Sequence, residues 1–369
     1  MSESQARAAQ PIAKDARLGS DSLVSRRPRA LVVVPTLNEA AHIEAVLITL
    51  LADAQHSTVA SMTICVVDGG STDQTCAIVE RMMRDQEKLD LLHNPARIQS
   101  AAVNLAVRRL GQAYDVLIRC DAHAEYPAGY CSRLVQTLLR TEAHSVVVPM
   151  DSTGERGLQR ALAWLSNSAL GSGGSAHRAG TKSGFVDHGH HAAFWLNFFR
   201  QVGGYDECFT HNEDAELDCR QRALGARIYL DCELRMRYRP RASLSSLYSQ
   251  YFKYGVGRSR TVRRHPSSLR LRQLAVPAHL ALTVFAIAVS PFTRIFLCWP
   301  ALYALTVVGF ALALALRQRS FTGLLAAPAA FTMHTAWASG FFCGLLSHRE
   351  RVWQPHATAP LVIAAGGRR

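Results

Sequence analysis

Four short stretches carry residues able to do chemistry: Pro35-Thr36-Leu37-Asn38-Glu39, Asp68-Gly69-Gly70-Ser71-Thr72-Asp73, Asn94-Pro95-Ala96-Arg97 and Cys120-Asp121-Ala122-His123. Each follows directly on an apolar run. One acidic strand end is unremarkable, but several carboxylates brought to one rim call for a cation or a polyol to offset their desolvation. A further acidic group, Asn212-Glu213-Asp214, opens a helix-like stretch. Acidic residues there also serve the helix dipole, while a helix start would hold the Asp214 carboxylate in a fixed direction. Taken alone, the segment from Asp68 to Asp73 reads as a tight turn whose Ser71 or Asp73 caps the next helix. The trio His188, His190 and His191 invites a metal reading, but neighbouring histidines on a loop do not aim at one centre.

The elements that must position these groups alternate regularly. Apolar runs at 31–34, 63–67, 89–92 and 116–118 precede helix-like stretches at 40–51, 73–83, 100–110 and 130–140, and a further strand follows at 145–148. Strands apolar on both faces and separated by helices predict a mostly parallel sheet covered on both sides. In such sheets ligands bind beyond the carboxyl ends of the strands, which is where the four polar stretches fall. From 154 to 239 the pattern loosens. Gly171-Ser172-Gly173-Gly174-Ser175 and the histidine stretch read as loops, followed by a helix at 215–224 and a strand at 227–230.

A chain of 369 residues accommodates one large or two modest domains. Charged residues thin out after Arg272 and return near Arg349, leaving apolar stretches at 274–292, 295–316 and 321–346. The first two are long enough to cross a bilayer, and the third is interrupted by Pro328 and His334. Three full crossings from a cytoplasmic head would place Arg349 and Arg351 outside, so the last segment is expected to be re-entrant. The formal charge is +13, with much of the excess in ten arginines from Arg235 to Arg272. Beside an apolar tract this reads as a segment facing lipid headgroups rather than nucleic acid. Nine cysteines without a C-x-x-C pair fit neither a disulfide framework nor a zinc ribbon, and point to a reducing compartment. Residues 1–28 lack the apolar core of a signal peptide and read as a tail. The expected organisation is that tail, a catalytic domain at 29–240, a basic amphipathic interface segment at 241–273, a transmembrane region at 274–348 and a tail at 349–369.

Val34-Pro35-Thr36-Leu37-Asn38-Glu39 followed by Val66-Val67-Asp68-Gly69-Gly70-Ser71-Thr72-Asp73 resembles the opening of the family-two glycosyltransferases. Within that family, the stretch 94–101, Cys120-Asp121-Ala122-His123 and Gln250-Tyr251-Phe252-Lys253-Tyr254-Gly255 are similar to succinoglycan-type glucosyltransferases of exopolysaccharide assembly. The resemblance covers residues 30–265. It implies a GT-A-like α/β fold with a mixed, mostly parallel sheet, helices on both faces and a C-terminal transmembrane region. Pro35, Thr36, Asn38, Glu39, Asp68, Ser71, Asp73, Arg97 and Asp121 would then surround a nucleotide-sugar. Asp121 and His123 occupy the place of the D-x-D metal motif. His123 replaces its second carboxylate, and imidazole suits manganese better than magnesium. Asp214, in the place of the family's E-D motif, would take the acceptor hydroxyl's proton during inversion. Asp187, His188, Glu213, Gln250, Lys253, Tyr254 and Arg258 would lie on the acceptor or diphosphate side, with Arg258 and Arg260 near the diphosphate of a lipid carrier. Gln250-x-x-Lys253-Tyr254 looks like a reduced Q-x-x-R-W motif, losing bidentate phosphate recognition and stacking area, which favours single addition over processive synthesis.

The resemblance thus implies an inverting transferase placing one hexose, with UDP-glucose as the first donor to test, on a polyprenyl-diphosphate-linked glycan. It would work at the cytoplasmic face of the inner or plasma membrane as a multi-pass protein among membrane lipids and other polysaccharide-assembly proteins. The alternatives are a processive synthase and a membrane-tethered nucleotide-sugar sensor without turnover, for which Asp214 would be dispensable.

Overall fold

A computed structural model of the chain describes residues 27–55, 59–173 and 182–355. Most of the expected N-terminal tail, Gly174 and Ser175 of the expected loop, and the C-terminal tail beyond 355 lie outside the described residues. Strands β1 (Arg29–Thr36), β2 (Ser61–Asp68), β3 (Leu89–His93) and β4 (Val116–Arg119) alternate with α1 (Ile43–Gln55), α2 (Thr75–Met83), α3 (Gln99–Leu110) and α4 (Tyr130–Thr141). There follow β5 (Ser145–Val148), β6 (Met150–Ser152), α5 (Gly157–Ser166), α6 (Ala169–Ser172), β7 (Gly184–Val186), β8 (His190–Trp195), α7 (Leu196–Gln201), α8 (Glu213–Ala223), β9 (Ile228–Leu230) and β10 (Met236–Tyr238). The chain ends in α9 (Leu244–Arg264), α10 (Leu271–Val289), α11 (Cys298–Arg317) and α12 (Ala326–Ser347).

The main sheet has eight strands in the order β3-β2-β1-β4-β8-β5-β9-β7, and β6 pairs with β10 beside it. β1 lies parallel to both β2 and β4, and β2 parallel to β3. Side chains alternate across the strands. On β1, Ala30, Val32 and Val34 face a core shared with α1 and α4, while Leu31 and Val33 face a second core shared with α3 and α7. Both faces are therefore covered, as the continuous apolar runs require.

One expectation is overturned. His190 and His191 are not on a loop but begin β8, which runs antiparallel between β4 and β5 at the centre of the sheet. Two histidines conceal the start of the apolar run. The strand tolerates them because His191 finds a carboxylate, Asp218 Oδ1, 2.5 Å from its Nε2, and His190 reaches the cleft at the rim.

Two helices are long and apolar enough to cross a membrane: α10, and α11 together with the turn Arg294–Leu297 before it, each with only 11% of its apolar window buried. Leu282, Phe285, Leu305 and Leu312 stand bare on their outer faces. The third apolar stretch behaves differently. Pro328 does not interrupt it, because it falls in the first turn of α12, where an amide has no intrahelical partner to lose. α12 runs parallel to α9 in close contact. A Cβ on Gly340 would lie 2.0 Å from the Phe252 carbonyl, one on Gly255 2.0 Å from the Trp337 carbonyl, and one on Gly344 2.1 Å from Ser259 Oγ. Farther along, Arg263 donates to the carbonyls of Gly344 and His348 at 2.7 and 2.5 Å. Beyond the end of α12, Glu350 is buried against Arg260 and Arg264 of α9, at 2.5 and 3.3 Å. At its other end, Ala326, Ala329 and Ala330 share a core with Leu162 and Leu165 of α5.

Candidate active site

A cleft of about 870 Å³ opens beyond the carboxyl ends of β1, β2 and β4. Pro35, Thr36, Arg97, Asp121, His123, Asp187, His188, Glu213, Asp214, Gln250, Tyr254 and Arg258 line it, whereas Asn38, Glu39, Asp68, Ser71, Asp73 and Lys253 do not. The first five of these unlined residues build the rim from behind. Asp68 accepts from the amides of Gly70 and Ser71 at 2.8 and 2.9 Å and from Ser71 Oγ at 2.5 Å. Burial pushes the Asp68 carboxyl up, but these hydrogen bonds outweigh it and hold the group below its ordinary range. The Asn38 amide donates to Ser71 Oγ at 2.8 Å, and Thr72 N donates to Asn38 Oδ1 at 2.8 Å. Asp73 accepts from Thr75 N at 3.0 Å and Ala40 N at 3.1 Å, tying the start of α2 to the first rim stretch. Gly70, at φ +85°, gives this turn a conformation that side chains resist. Arg97 then closes over the turn, its Nε donating to the Gly69 carbonyl at 3.0 Å. Lys253 faces outward, exposed, while Gln250 Nε2 donates to the hydroxyls of Tyr238 and Tyr254.

The centre of the cleft is built around a residue that the motifs did not single out. Arg119, the last residue of β4, is 3% exposed. Its Nη1 donates to Asp214 Oδ1 at 2.8 Å, and its Nη2 lies 3.8 Å from Asp121 Oδ1 and 3.2 Å from His190 Nδ1. Tyr205 donates its hydroxyl to the same Asp214 oxygen at 2.8 Å. Asp214 Oδ2 accepts no hydrogen bond among the described residues. The His190 ring lies beside it, with Nδ1 at 3.8 Å. Burial pushes Asp214 up, but Arg119, His191, His190 and the Tyr205 hydroxyl together outweigh it and hold the carboxyl below its ordinary range. Asp121 is held down in the same way, burial being outweighed by Arg119 and His190. Burial, with Arg119 adding to it, drives His190 down to about 4, so the ring is neutral. Glu213 moves the other way, raised to about 7 by burial and by the charge of Asp214. The signal for Arg119 was legible: a lone charge ending an apolar strand two residues before Asp121, so on the same face.

α8 carries Asp214 because its sequence suits a helix dipole, with Glu213, Asp214 and Glu216 in the first turn and Arg220 and Arg222 in the last. Its start is fixed by Asn212, which takes a left-handed conformation at φ 67° and donates to Thr261 Oγ1 of α9 at 2.7 Å. One turn after Asp214, Asp218 receives His188 Nδ1 at 2.6 Å as well as His191. Burial would raise this carboxyl, but the two histidines bring it down to about 2.

Asp121 and His123, the pair in the place of the metal motif, both line the cleft. His123 Nδ1 lies 2.8 Å from Glu39 Oε1, and a carboxylate behind an imidazole is the arrangement that orients a metal-bound histidine through its other nitrogen. No group of three or more protein ligands able to hold an ion unaided exists among the described residues.

Residues 31–203 match the family described as glycosyl transferase family 2. The chain is 44% identical over 335 residues to succinoglycan biosynthesis protein ExoA of Rhizobium meliloti (strain 1021), covering 91% of this chain and all of ExoA. The solved mannosyltransferase PcManGT from Pyrobaculum calidifontis, in complex with GDP-Man and Mn2+, superposes with a TM-score of 0.54 at 19% identity, covering 84% of this chain and 88% of that one. At that identity the likeness concerns the fold, which is GT-A-like.

Proposed function

The chain belongs to glycosyl transferase family 2, and from that premise we propose that it is an inverting hexosyltransferase of exopolysaccharide synthesis, taking UDP-glucose or a related donor and a lipid-linked oligosaccharide acceptor. The observation that carries this reading is the state of Asp214: one oxygen is held by Arg119 and Tyr205, and the other is left for a proton. An acceptor hydroxyl against Oδ2 would lose its proton as it attacks the anomeric carbon from the face opposite the leaving diphosphate. A carboxylate of lowered basicity suffices for this, because the hydroxyl becomes strongly acidic only as the new bond forms. Arg119 fixes which oxygen is used and keeps Asp214 ionised. The neutral His190 packs between Asp121 and Asp214 without adding charge. Pro35, Thr36 and Arg97 would border the nucleotide, with the rim turn from Asp68 to Asp73 setting their positions. When bound, a manganese or magnesium ion at Asp121 and His123 supplies charge neutralisation for the departing diphosphate.

The transmembrane region in this reading is a hairpin of α10 and α11. α12 stays on the side of the catalytic domain, since its first turns pack on α5 of that domain and its far end is held by Arg260 and Arg264 of α9. This places Arg317, Arg319, Arg349 and Arg351 together on the cytoplasmic side and leaves Arg294 alone at the far turn, in keeping with the positive-inside tendency. The outward Lys253 agrees with single addition rather than processive synthesis.

The test is UDP release from a panel of UDP-sugars by the detergent-solubilised protein, with and without Mn2+. The expected result is metal-dependent turnover of one donor, lost in Asp121→Ala. Failure to bind any nucleotide-sugar would refute the reading.

A further inference from the structure

The loop that leads into α8, residues 205–212, has no regular secondary structure of its own, yet it carries the tyrosine whose hydroxyl reaches Asp214. It is held from two sides. On one side α3 takes its backbone, with Asn104 accepting from the Tyr205 amide at 3.0 Å and donating to the Tyr205 carbonyl at 2.8 Å. On the other side α9 takes the rest. Arg260 Nη1 donates to the Cys208 carbonyl at 2.7 Å, Arg264 pairs with the Asp206 carboxylate, and both guanidiniums lie over the buried Phe209 ring, 4.2 and 5.0 Å from its centre. The approach is close, since a Cβ on Gly257 would lie 2.5 Å from the His211 carbonyl.

Two guanidiniums one helical turn apart repel each other. What holds both is Glu350, which comes from the segment after α12, far along the chain from the loop. Its Oε1 lies 2.5 Å from Arg260 Nε and its Oε2 3.3 Å from Arg264 Nε, with the side chain 4% exposed. The backbone of that segment is docked as well, the Trp353 amide donating to the Arg264 carbonyl at 2.9 Å. The Trp353 ring lies 5.7 Å from that of His265, and His265 Nε2 lies 3.1 Å from Glu216 Oε1, on α8 just beyond Asp214. An apolar residue would join α12 to α9 at no cost in desolvation, but only an acceptor with two oxygens holds both guanidiniums at once.

We propose that Glu350 is a positioning residue for sugar transfer: by fixing Arg260 and Arg264 it fixes the loop 205–212, and through the loop the Tyr205 hydroxyl on Asp214. The segment that follows the last apolar helix is thus part of the scaffold of the transfer site. Its role in catalysis rests on the transferase reading, whereas the link from Glu350 to the loop stands on the contacts alone.

The probe is Glu350→Gln, which keeps the size of the side chain and gives up its charge. Hydrogen–deuterium exchange on the full-length protein in detergent reads the link without turnover. The amides of Tyr205, Cys208 and Phe209 are hydrogen-bonded, and a peptide covering 205–212 should exchange about tenfold faster in the variant while one covering the rim turn at 66–73 is unchanged. Leu50→Ala, in the core on α1, controls for lost stability and should lower Tm without this local effect. In the UDP-release assay, Glu350→Gln should lose about tenfold in kcat with the donor KM nearly unchanged, as a small misplacement of the reacting groups does. Leu50→Ala should keep its kcat per UDP-binding site. Tyr205→Phe should lower kcat as well, and the double variant Tyr205→Phe/Glu350→Gln should lose much less than the product of the two, because both act through one hydroxyl. Unchanged exchange at 205–212, exchange raised equally at the rim, or losses in kcat that multiply would each overturn the proposal. A transferase whose Glu350→Gln variant behaves as the wild type would refute this link alone. Exchange as expected in a protein that transfers no sugar would refute the transferase reading and leave the link standing.

Discussion

The rim at the ends of β1 and β2 and the helical region around α9 and α12 are held together by different means. At the rim, short polar side chains and backbone amides satisfy one another within and between two adjoining turns: Asp68 by the Gly70-Ser71 turn, Asp73 by Thr75, and Asn38 by Ser71 and Thr72 of the neighbouring turn. At the other end, long arginines reach between elements distant in sequence, as in Arg260 to Glu350, Arg264 to Asp206 and Arg270 to Asp187. Local hydrogen bonds preset a site before any ligand arrives. Ion pairs between elements can instead exchange partners, and those with exposed members are screened by salt. A nucleotide diphosphate of fixed shape suits the first construction, and a ligand delivered from a membrane suits the second.

Substitutions can break this comparison at several levels. Asp214→Asn should have the largest effect, removing about 10²–10⁴-fold of the transfer rate while leaving donor binding intact, since Asp214 lies away from the rim. Arg119→Gln should act on the same group differently. Without the guanidinium that holds Asp214 down, the acid limb of the pH profile of kcat/KM should move to higher pH. An unmoved limb would remove Arg119 from the account. Glu350→Ala leaves Arg260 and Arg264 without their shared buried partner, and breaking such a pair costs about 3–5 kcal/mol. Thermal unfolding in detergent should show it as a lowered Tm. Gly340→Val should force α9 and α12 apart at a cost of about 1–3 kcal/mol, read the same way. Ser71→Ala should have the smallest effect, about 1 kcal/mol, seen as weaker nucleotide affinity more than as lost stability.

Much of the fold was legible because β1 to β4 are continuous apolar runs that a period of two or a buried sheet explains at once. The rim residues were legible as a group, but their division of labour was not. Asp68 and Asp73 carry the hydrogen bonds that a turn alone would give them, and only three-dimensional packing shows how they tie the two rim turns together. The start of β8 was hidden because its first two residues are histidines, whose partners lie far away in sequence: Asp218, 27 residues from His191, and Arg119, 71 residues from His190. Hydropathy reports only that α12 is apolar. Its close contact with α9, Gly340 against Phe252 and Gly344 against Ser259, is a pattern of small residues rather than of hydrophobicity. Arg119 was visible as a charge out of place, but its partners Asp214 and Tyr205 come from segments 86 or more residues away.

The most direct test of the central claim, that Asp214 takes the acceptor's proton in sugar transfer, is to follow labelled hexose from the UDP-sugar that the panel selects into lipid in membranes containing the wild-type protein or Asp214→Asn, with donor affinity measured on both. The account predicts label in lipid for the wild type, loss of that label in Asp214→Asn, and equal donor affinity. Undiminished transfer by Asp214→Asn would contradict it.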